Sequence, residues 1–381
     1  MGSFTGRIIH LASGDLWGGA EALIFALARE QHRVRPGSVS CIVMNPGELA
    51  TRLGHTGVPT IALDETRHGF LALLRAVRNH VKSFAPRILH AHRQKENLLA
   101  LLACLRSPSA GPAPRRVTTV HGMPEAARTR NPLRRCLTNL VNTSTLRFGF
   151  DAIVGVSQDM ATSLRARYPA SRVSFVHNGV TIHSGATIRA GVEAGSGPRP
   201  RCLRLLALGR LVPIKRFERL RELSDALAIA TVSRPAITLA GDGPLDSELR
   251  QWLAPDDPQR LIAMPGFVAD TAALLQRADA LVVTSDHEGI PMGVLEALAS
   301  GIPVFGFNVG GLPEIAAPGL PLRLVPAGNV QALANEIVTY FTQHEPGSRL
   351  PPPADWSFDI RECAQAYDRL YSSLALAEND T

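Results

Sequence analysis

The sequence predicts an α/β protein of two Rossmann-like domains facing each other across a cleft. Short, β-rich apolar runs alternate with helical patterns along most of the chain, which argues for parallel strands joined by crossover helices. The alternation is interrupted once, at residues 184–200 (SGATIRAGVEAGSGPRP), a stretch rich in Gly, Ser, Ala and Pro that reads as a linker. A length of 381 residues fits two domains or three.

In the first block, apolar runs fall at 7–12, 39–44, 60–63, 87–92, 117–120, 152–156 and 173–176. Residues 39–44 (VSCIVM) show the type: β-rich and mostly apolar, as in strands covered on both faces. Between these runs lie helical patterns at 20–31, 71–84, 95–105, 133–148 and 158–168. After the linker the alternation resumes, with strands expected at 203–208, 236–239, 261–264, 280–284, 303–307 and 322–325. Helices are expected at 217–228, 245–253, 271–277, 292–299 and 330–342, with Gly301 ending the helix that precedes it. Residues 347–354 (GSRLPPPA) break the pattern again. The last helix, 358–374, carries Ile360, Cys363, Ala364, Tyr367, Leu370 and Tyr371 on one face, and is expected to pack back on the first domain. The boundaries are therefore 1–183, a linker at 184–200, 201–345, and a crossover with terminal helix at 346–381.

Composition narrows the class. Hydrophobic residues at 45% and charged residues at 19% describe a globular chain. No run approaches the roughly 18 apolar residues that span a bilayer. The N-terminal residues enter a strand pattern directly and lack a signal-peptide layout, and Gly6 stands where a myristoylation signal needs Ser or Thr. Five scattered cysteines with no C-x-x-C suggest neither a disulfide framework nor a zinc site, and a reducing cytosol is the simplest compartment. A net charge of +7 implies an anionic partner. With 5% aromatic residues and no stacking stripe, single-stranded nucleic acid is disfavoured.

The most informative stretch is 284–311, TSDHEGIPMGVLEALASGIPVFGFNVGG. A buried strand, a Gly/Pro loop (Gly289, Pro291, Gly293) and a helix start make a seat for phosphate, because free N–H groups and the helix dipole favour an anion. Glu288 and Glu296 flank that seat and suit sugar hydroxyls. Glu296 falls among Val294, Leu295, Ala297 and Leu298, so it needs a partner, and a ribose diol would serve.

Other motifs are weaker singly. The loop Gly14 to Glu21 contains Gly18-Gly19 but not G-x-G-x-x-G, and it serves equally as an ordinary strand-to-helix turn. Arg210 and Lys215 follow the strand that opens the second domain, where open α/β sheets bind ligands. They suit a leaving diphosphate, or form a solvated basic turn. Gly241-Asp242-Gly243-Pro244 marks a turn. At Gly266-Phe267-Val268, backbone could meet a flat base, or Phe267 could be core. His121, in Val120-His121-Gly122, ends a first-domain strand, where a histidine is either structural or able to bind a sugar hydroxyl or assist proton transfer. His90 and His92 share a sheet face by period two, and without a carboxylate at ligand spacing they suit packing or acceptor contacts rather than metal.

At these residues the chain resembles GT-B glycosyltransferases of the large retaining family four. The resemblance rests on Gly18-Gly19-Ala20-Glu21, Val120-His121-Gly122, His177-Asn178-Gly179-Val180, Leu208-Gly209-Arg210 with Lys215, Gly241 to Pro244, Gly266 to Val268, and Glu288 to Glu296, in that order along nearly the whole chain. It implies an N-terminal acceptor domain and a C-terminal nucleotide-sugar domain. Glu288 would bind donor-sugar hydroxyls and Glu296 the ribose. Arg210 and Lys215 would hold the diphosphate, helped by backbone around Gly289, Ile290, Pro291, Met292 and Gly293. Gly243, Phe267 and Val268 would line the donor site, His121 would face the transferred sugar, and Gly18 or Gly19 the donor–acceptor junction. It further implies a front-face mechanism without a dedicated nucleophile, metal or other cofactor. Gly122 departs from the acidic residue that often follows this histidine in the family.

The expected activity is hexosyl transfer from a nucleotide-diphosphate sugar to a glycan or glycolipid acceptor, in surface polysaccharide or glycolipid synthesis. A nucleotide-sugar epimerase of the same architecture and a non-catalytic nucleotide-sugar-binding partner are the alternatives. Arg106, Arg115, Arg116, Arg128, Arg130, Arg134 and Arg135, with Glu125 the only acid among them, run into the helix expected at 133–148. This face is either solvated or a peripheral contact for an anionic membrane, which would put a cytoplasmic protein at the inner face of the membrane. Nucleic acid is not expected as a partner.

Overall fold

β1 (Ile8–Ser13) is buried at all six positions, as a strand covered by helices on both faces must be. The computed structural model describes residues 4–105, 113–122, 132–182, 202–230, 234–253 and 261–376. The linker expected at 184–200, and Arg106, Glu125, Arg128 and Arg130, lie outside the described residues. The chain divides into two units, Met1–Gly179 with Phe358–Thr381, and Val180–Ser357.

In the first unit β1 is followed by α1 (Gly19–Val34), β2 (Val39–Met44), α2 (Glu48–His55), β3 (Thr60–Leu63), α3 (Phe70–Phe84), β4 (Ile88–Ala91), α4 (Gln94–Cys104), β5 (Arg115–Val120), α5 (Pro132–Gly149), β6 (Ala152–Gly155), α6 (Gln158–Arg165) and β7 (Val173–Phe175). All strands are parallel, in the order β3-β2-β1-β4-β5-β6-β7. The order reverses between β1 and β4, and the carboxyl ends there are where such sheets receive ligands. Ile9, Leu11, Ile42, Leu89 and Ile153 from the sheet pack with Leu74, Val77, Leu99 and Leu146 from the helices.

The second unit repeats the plan: β8 (Arg204–Leu208), α7 (Arg219–Ala230), β9 (Ala236–Ala240), α8 (Asp246–Trp252), β10 (Leu261–Gly266), α9 (Thr271–Arg277), β11 (Ala280–Val283), α10 (Met292–Ala299), β12 (Val304–Phe307), α11 (Leu312–Ile315), β13 (Leu322–Val325) and α12 (Val330–Gln343). Its parallel order is β10-β9-β8-β11-β12-β13, with the reversal between β8 and β11. Pro265 is tolerated because β10 is an edge strand with a register shift between Ala263 and Gly266. Gly301, at φ 72°, ends α10 in the left-handed conformation that glycine adopts without strain.

The last helix, α13 (Ile360–Leu376), returns to the first unit. Cys363, Ala364, Tyr367 and Tyr371 are buried, and Asp368 pairs with Arg35 of the residues after α1 at 2.8 Å. A Cβ on Gly179 would meet Ile360 and Cys363, so the glycine of the His177-Asn178-Gly179 motif makes room for this helix.

Candidate active site

The clearest constellation lies at the sheet reversal of the second unit. After β8 the chain makes a single 3₁₀ turn, Pro213–Lys215, and leaves it through Arg216 in a left-handed conformation (φ 51°). This delays α7 to Arg219, two residues later than the apolar pattern suggests. Lys215 reaches Glu288, in the loop after β11, and its Nζ donates to both carboxylate oxygens at 2.7 and 2.8 Å. Ser285 Oγ adds a third donor at 2.5 Å. Glu288 is only 7% exposed, so its charge is balanced inside the protein rather than by water. The loop itself is pinned from beneath: Thr284 Oγ1 donates to the Lys215 carbonyl at 2.9 Å, and Arg219 donates to the Thr284 carbonyl at 2.8 Å and pairs with Asp286 at 2.6 Å.

Beside this pair, α10 begins at Met292 after Pro291, with no side chain capping its first N–H groups. Those groups are the anion-binding element of a helix start. Ile290 and Met292 are buried, while Gly289, Pro291 and Gly293 are half-buried. Glu296, half-buried on α10, accepts from Thr271 Oγ1 at 3.1 Å. Arg210 is exposed at the end of β8. Gly243 packs on the backbone of Leu211, which leaves no room for a side chain, so its glycine joins the two loops. Phe267 is 52% exposed and is therefore not a core residue; Val268 beside it is half-buried.

The first unit places a second constellation at its own sheet reversal. His10 on β1, His90 on β4, His92 just past it and His121 just past β5 form a contiguous cluster. His10 Nδ1 lies 3.1 Å from His92 Nε2, and His92 Nδ1 lies 3.1 Å from His121 Nε2. His10 Nε2 is 2.8 Å from Gln31 Oε1 on α1. His90 uses both nitrogens elsewhere, at 2.7 Å to Tyr371 Oη and 2.8 Å to Thr119 Oγ1. The period-two relation of His90 and His92 holds, their rings lying 4.2 Å apart. Burial pushes the pKa of His10 down to about 4 and that of His121 to about 3. It also holds His90 and His92 well below the ordinary histidine value, and protonating either would further set it against the neighbouring histidines and, for His92, against Arg93. All four are neutral near pH 7.

Gly18 caps α1 and Gly19 begins it, both exposed. Behind them Glu21, 2% exposed, is paired with Arg93. Glu96 at the start of α4 is enclosed too, and burial raises its carboxyl to about 7. Neither His10, Gln31, Ser285, Thr271 nor Glu96 stood out in the sequence. The available signals were faint: a histidine inside an otherwise apolar strand for His10, and polar residues at the core-facing start of a helix for Glu96.

Two parallel sheets, each with polar and charged side chains gathered at the strand carboxyl ends of its reversal, make the two-domain α/β architecture of the GT-B type. The structure of Anabaena Alr3699/HepE in complex with UDP-glucose shares that fold. It matches with a TM-score of 0.71 over 99% of this chain and 100% of that chain, at 20% identity. A family model described as "Glycosyltransferase Family 4" matches residues 17–184, and one described as "Glycosyl transferases group 1" matches residues 202–343. The chain belongs to glycosyltransferase family four.

Relatives are similar over unequal lengths. A putative colanic acid biosynthesis glycosyltransferase, WcaL of Salmonella typhimurium, is 34% identical over 110 residues, so the match spans only 27% of either protein. The putative glycosyltransferase EpsF of Bacillus subtilis is 25% identical over 320 residues, 80% of this chain and 79% of that protein.

Proposed function

We propose that this protein is a retaining, metal-independent hexosyltransferase that moves a sugar from a nucleotide-diphosphate donor to a glycan or lipid-linked acceptor in surface polysaccharide or glycolipid synthesis. The observation that carries the reading is the Lys215–Glu288 pair beside the start of α10. Two of the three Nζ–H donors of Lys215 are held by Glu288. The third is thereby aimed rather than free to rotate, and can meet a diphosphate oxygen. A cation fixed before the reaction stabilises the leaving charge without reorganising. Arg210 adds positive charge at the same strand end, and the backbone from Gly289 to Gly293 supplies N–H donors. The Glu288 oxygens then accept from sugar hydroxyls and Glu296 from the ribose, while exposed Phe267 with Val268 offers a surface for the base. Gly243, packed against the Leu211 backbone, lines the donor site beside them. His121 accepts from a hydroxyl of the transferred sugar, with Gly18 and Gly19 at the junction to the acceptor.

In this reading the leaving phosphate oxygen takes the proton of the acceptor hydroxyl on the same face of the sugar, so configuration is retained and no protein nucleophile is needed. The UDP-glucose named for the Anabaena structure supports uridine diphosphate sugars as the first donors to try. The test is incubation with a panel of nucleotide sugars and lipid-linked acceptors, with mass and anomeric configuration read on the product. Inverted product, or turnover that requires a divalent ion, would reject this mechanism.

We further propose that the first unit rests on an anionic membrane at its inner face. On α5, Leu140 (62%), Val141 (42%) and Phe148 (77%) are exposed, with Arg147 beside Phe148. Arg115 and Arg116 are not part of a solvated basic face, since both pair with Asp151. Among the described residues no helix is long and apolar enough to cross a membrane. Flotation with vesicles containing anionic lipid is expected to carry the protein, and Phe148→Asp to release it. Equal flotation with neutral vesicles would reject the idea.

A further inference from the structure

His121 ends a file of hydrogen-bonded side chains that begins at Gln31 on α1. Gln31 is 1% exposed, and its Oε1 lies 2.8 Å from His10 Nε2. An amide oxygen only accepts, so His10 must carry its proton on Nε2. A neutral imidazole has one donor and one acceptor, so His10 Nδ1 is then an acceptor. His92 must therefore donate from Nε2 across the 3.1 Å contact, which leaves its own Nδ1 as an acceptor. His121 in turn must donate from Nε2 across the next 3.1 Å. Its Nδ1 is left with a bare lone pair, enclosed and without a hydrogen-bond partner.

We propose that Gln31, His10 and His92 are positioning residues that lock His121 in the Nε2–H tautomer, so that its Nδ1 is a ready acceptor for a substrate hydroxyl. Three features support it. The file is neutral throughout, because burial disfavours imidazolium at every member. His90 lies tilted against His92 but is withdrawn from the file by Tyr371 and Thr119, so the direction set at Gln31 has one path. Among the nitrogens of the four histidines, His121 Nδ1 alone lacks a partner (Gln31 Nε2, at the far end of the file, has none either), although the same rings gather His10, His90 and His92 closely enough for a metal ion. Every nitrogen of those three is already engaged within the protein. The proposal rests on the reading that His121 meets the transferred sugar, and it names what prepares that histidine.

The intact, ligand-free protein labelled with 15N-histidine tests it, because multiple-bond 15N–1H spectra report the tautomer of each ring. The expected pattern is a protonated Nε2 and a bare Nδ1 in His10, His92 and His121. A proton on His121 Nδ1 overturns the proposal. In Gln31→Met the acceptor is lost at similar volume. The His121 signals should then move towards mixed tautomers, and kcat/KM should fall about five-fold, as for one lost neutral hydrogen bond. An unchanged His121 tautomer in Gln31→Met also overturns it, and if that variant does not fold, the wild-type spectrum decides alone. His121→Ala separates the two ideas: full activity there rejects the sugar contact while the tautomer pattern still stands or falls by the spectrum.

Discussion

Gly310 lies over the main-chain carbonyl of Glu288, and the N–H of Gly311 donates to that same oxygen at 2.9 Å. Gly310 holds φ 53°, and a Cβ there would run into the Glu288 carbonyl. The loop after β12 thus fixes the backbone of Glu288, while Lys215 and Ser285 fix its carboxylate. Gly310→Ala is expected to destabilise the second unit by about 2 kcal/mol or more, through left-handed strain and the collision together. It should also reduce turnover. Gly319→Ala is the control: its φ is 79° but nothing lies within 4 Å, so only the backbone cost of roughly 1–2 kcal/mol applies, with activity kept. Thermal melts and initial rates on both variants decide between strain alone and a displaced Glu288.

Lys215→Ala and Glu288→Ala should each lower kcat by about 10²–10³-fold, the scale of removing one preorganised electrostatic contact. Lys215→Ala should also melt earlier than Glu288→Ala, because it leaves a carboxylate that is 7% exposed with only the Ser285 hydroxyl, whereas Glu288→Ala leaves a cation that is 20% exposed and reaches water. Full activity in either variant contradicts the assignment.

The histidine cluster makes a pH prediction. The folded pKa of His10 is about 4, below its ordinary 6.5, so between these values the unfolded chain binds the proton and the folded chain does not. Stability is therefore fully present above pH 6.5 and falls as pH drops through that window, at up to about 1.4 kcal/mol per pH unit for this residue. His121 extends the loss to about pH 3. Urea midpoints measured from pH 7.5 to 4 should fall steadily, and His10→Gln should flatten the slope.

Tyr371→Phe removes the hydroxyl partner of His90 Nδ1, in a site where water does not replace it. The expected cost is about 1–3 kcal/mol. Tyr367→Phe should cost less, because Thr119 Oγ1 keeps its bond to His90. Chemical denaturation of the two variants in parallel gives the comparison.

Among the described residues each strand is legible in the sequence to within about two residues; those buried on both faces show as continuous apolar runs such as ALVV and VSCIVM, while the edge strands β3 and β10 are partly exposed. The helices α2 and α11 were not legible. The first buries only Leu49 and Leu53, and the second is a four-residue turn around Pro313, so neither carries a full apolar period. Glu288, Glu296, Lys215 and Arg210 could be read because they sit at strand ends among Gly and Pro. The direct bond between Lys215 and Glu288 could not, since 73 residues separate them and only the pairing of β8 with β11 brings their loops together. The same holds for His10, whose neighbours His92 and Gln31 come from a different strand and a helix.

The return of α13 has a consequence for how the protein is made. His90 is completed by Tyr371, and Thr119 by Tyr367, so the polar centre of the first unit waits for residues that the ribosome delivers after the whole second unit. The unit begun first is finished last. During synthesis its sheet must hold an unfilled slot between α1 and the strands for the time taken to translate some two hundred residues, at about 5–20 residues per second. A chain that stalls before Ile360 would present that slot, lined by His90 and Thr119, to whatever else can enter it.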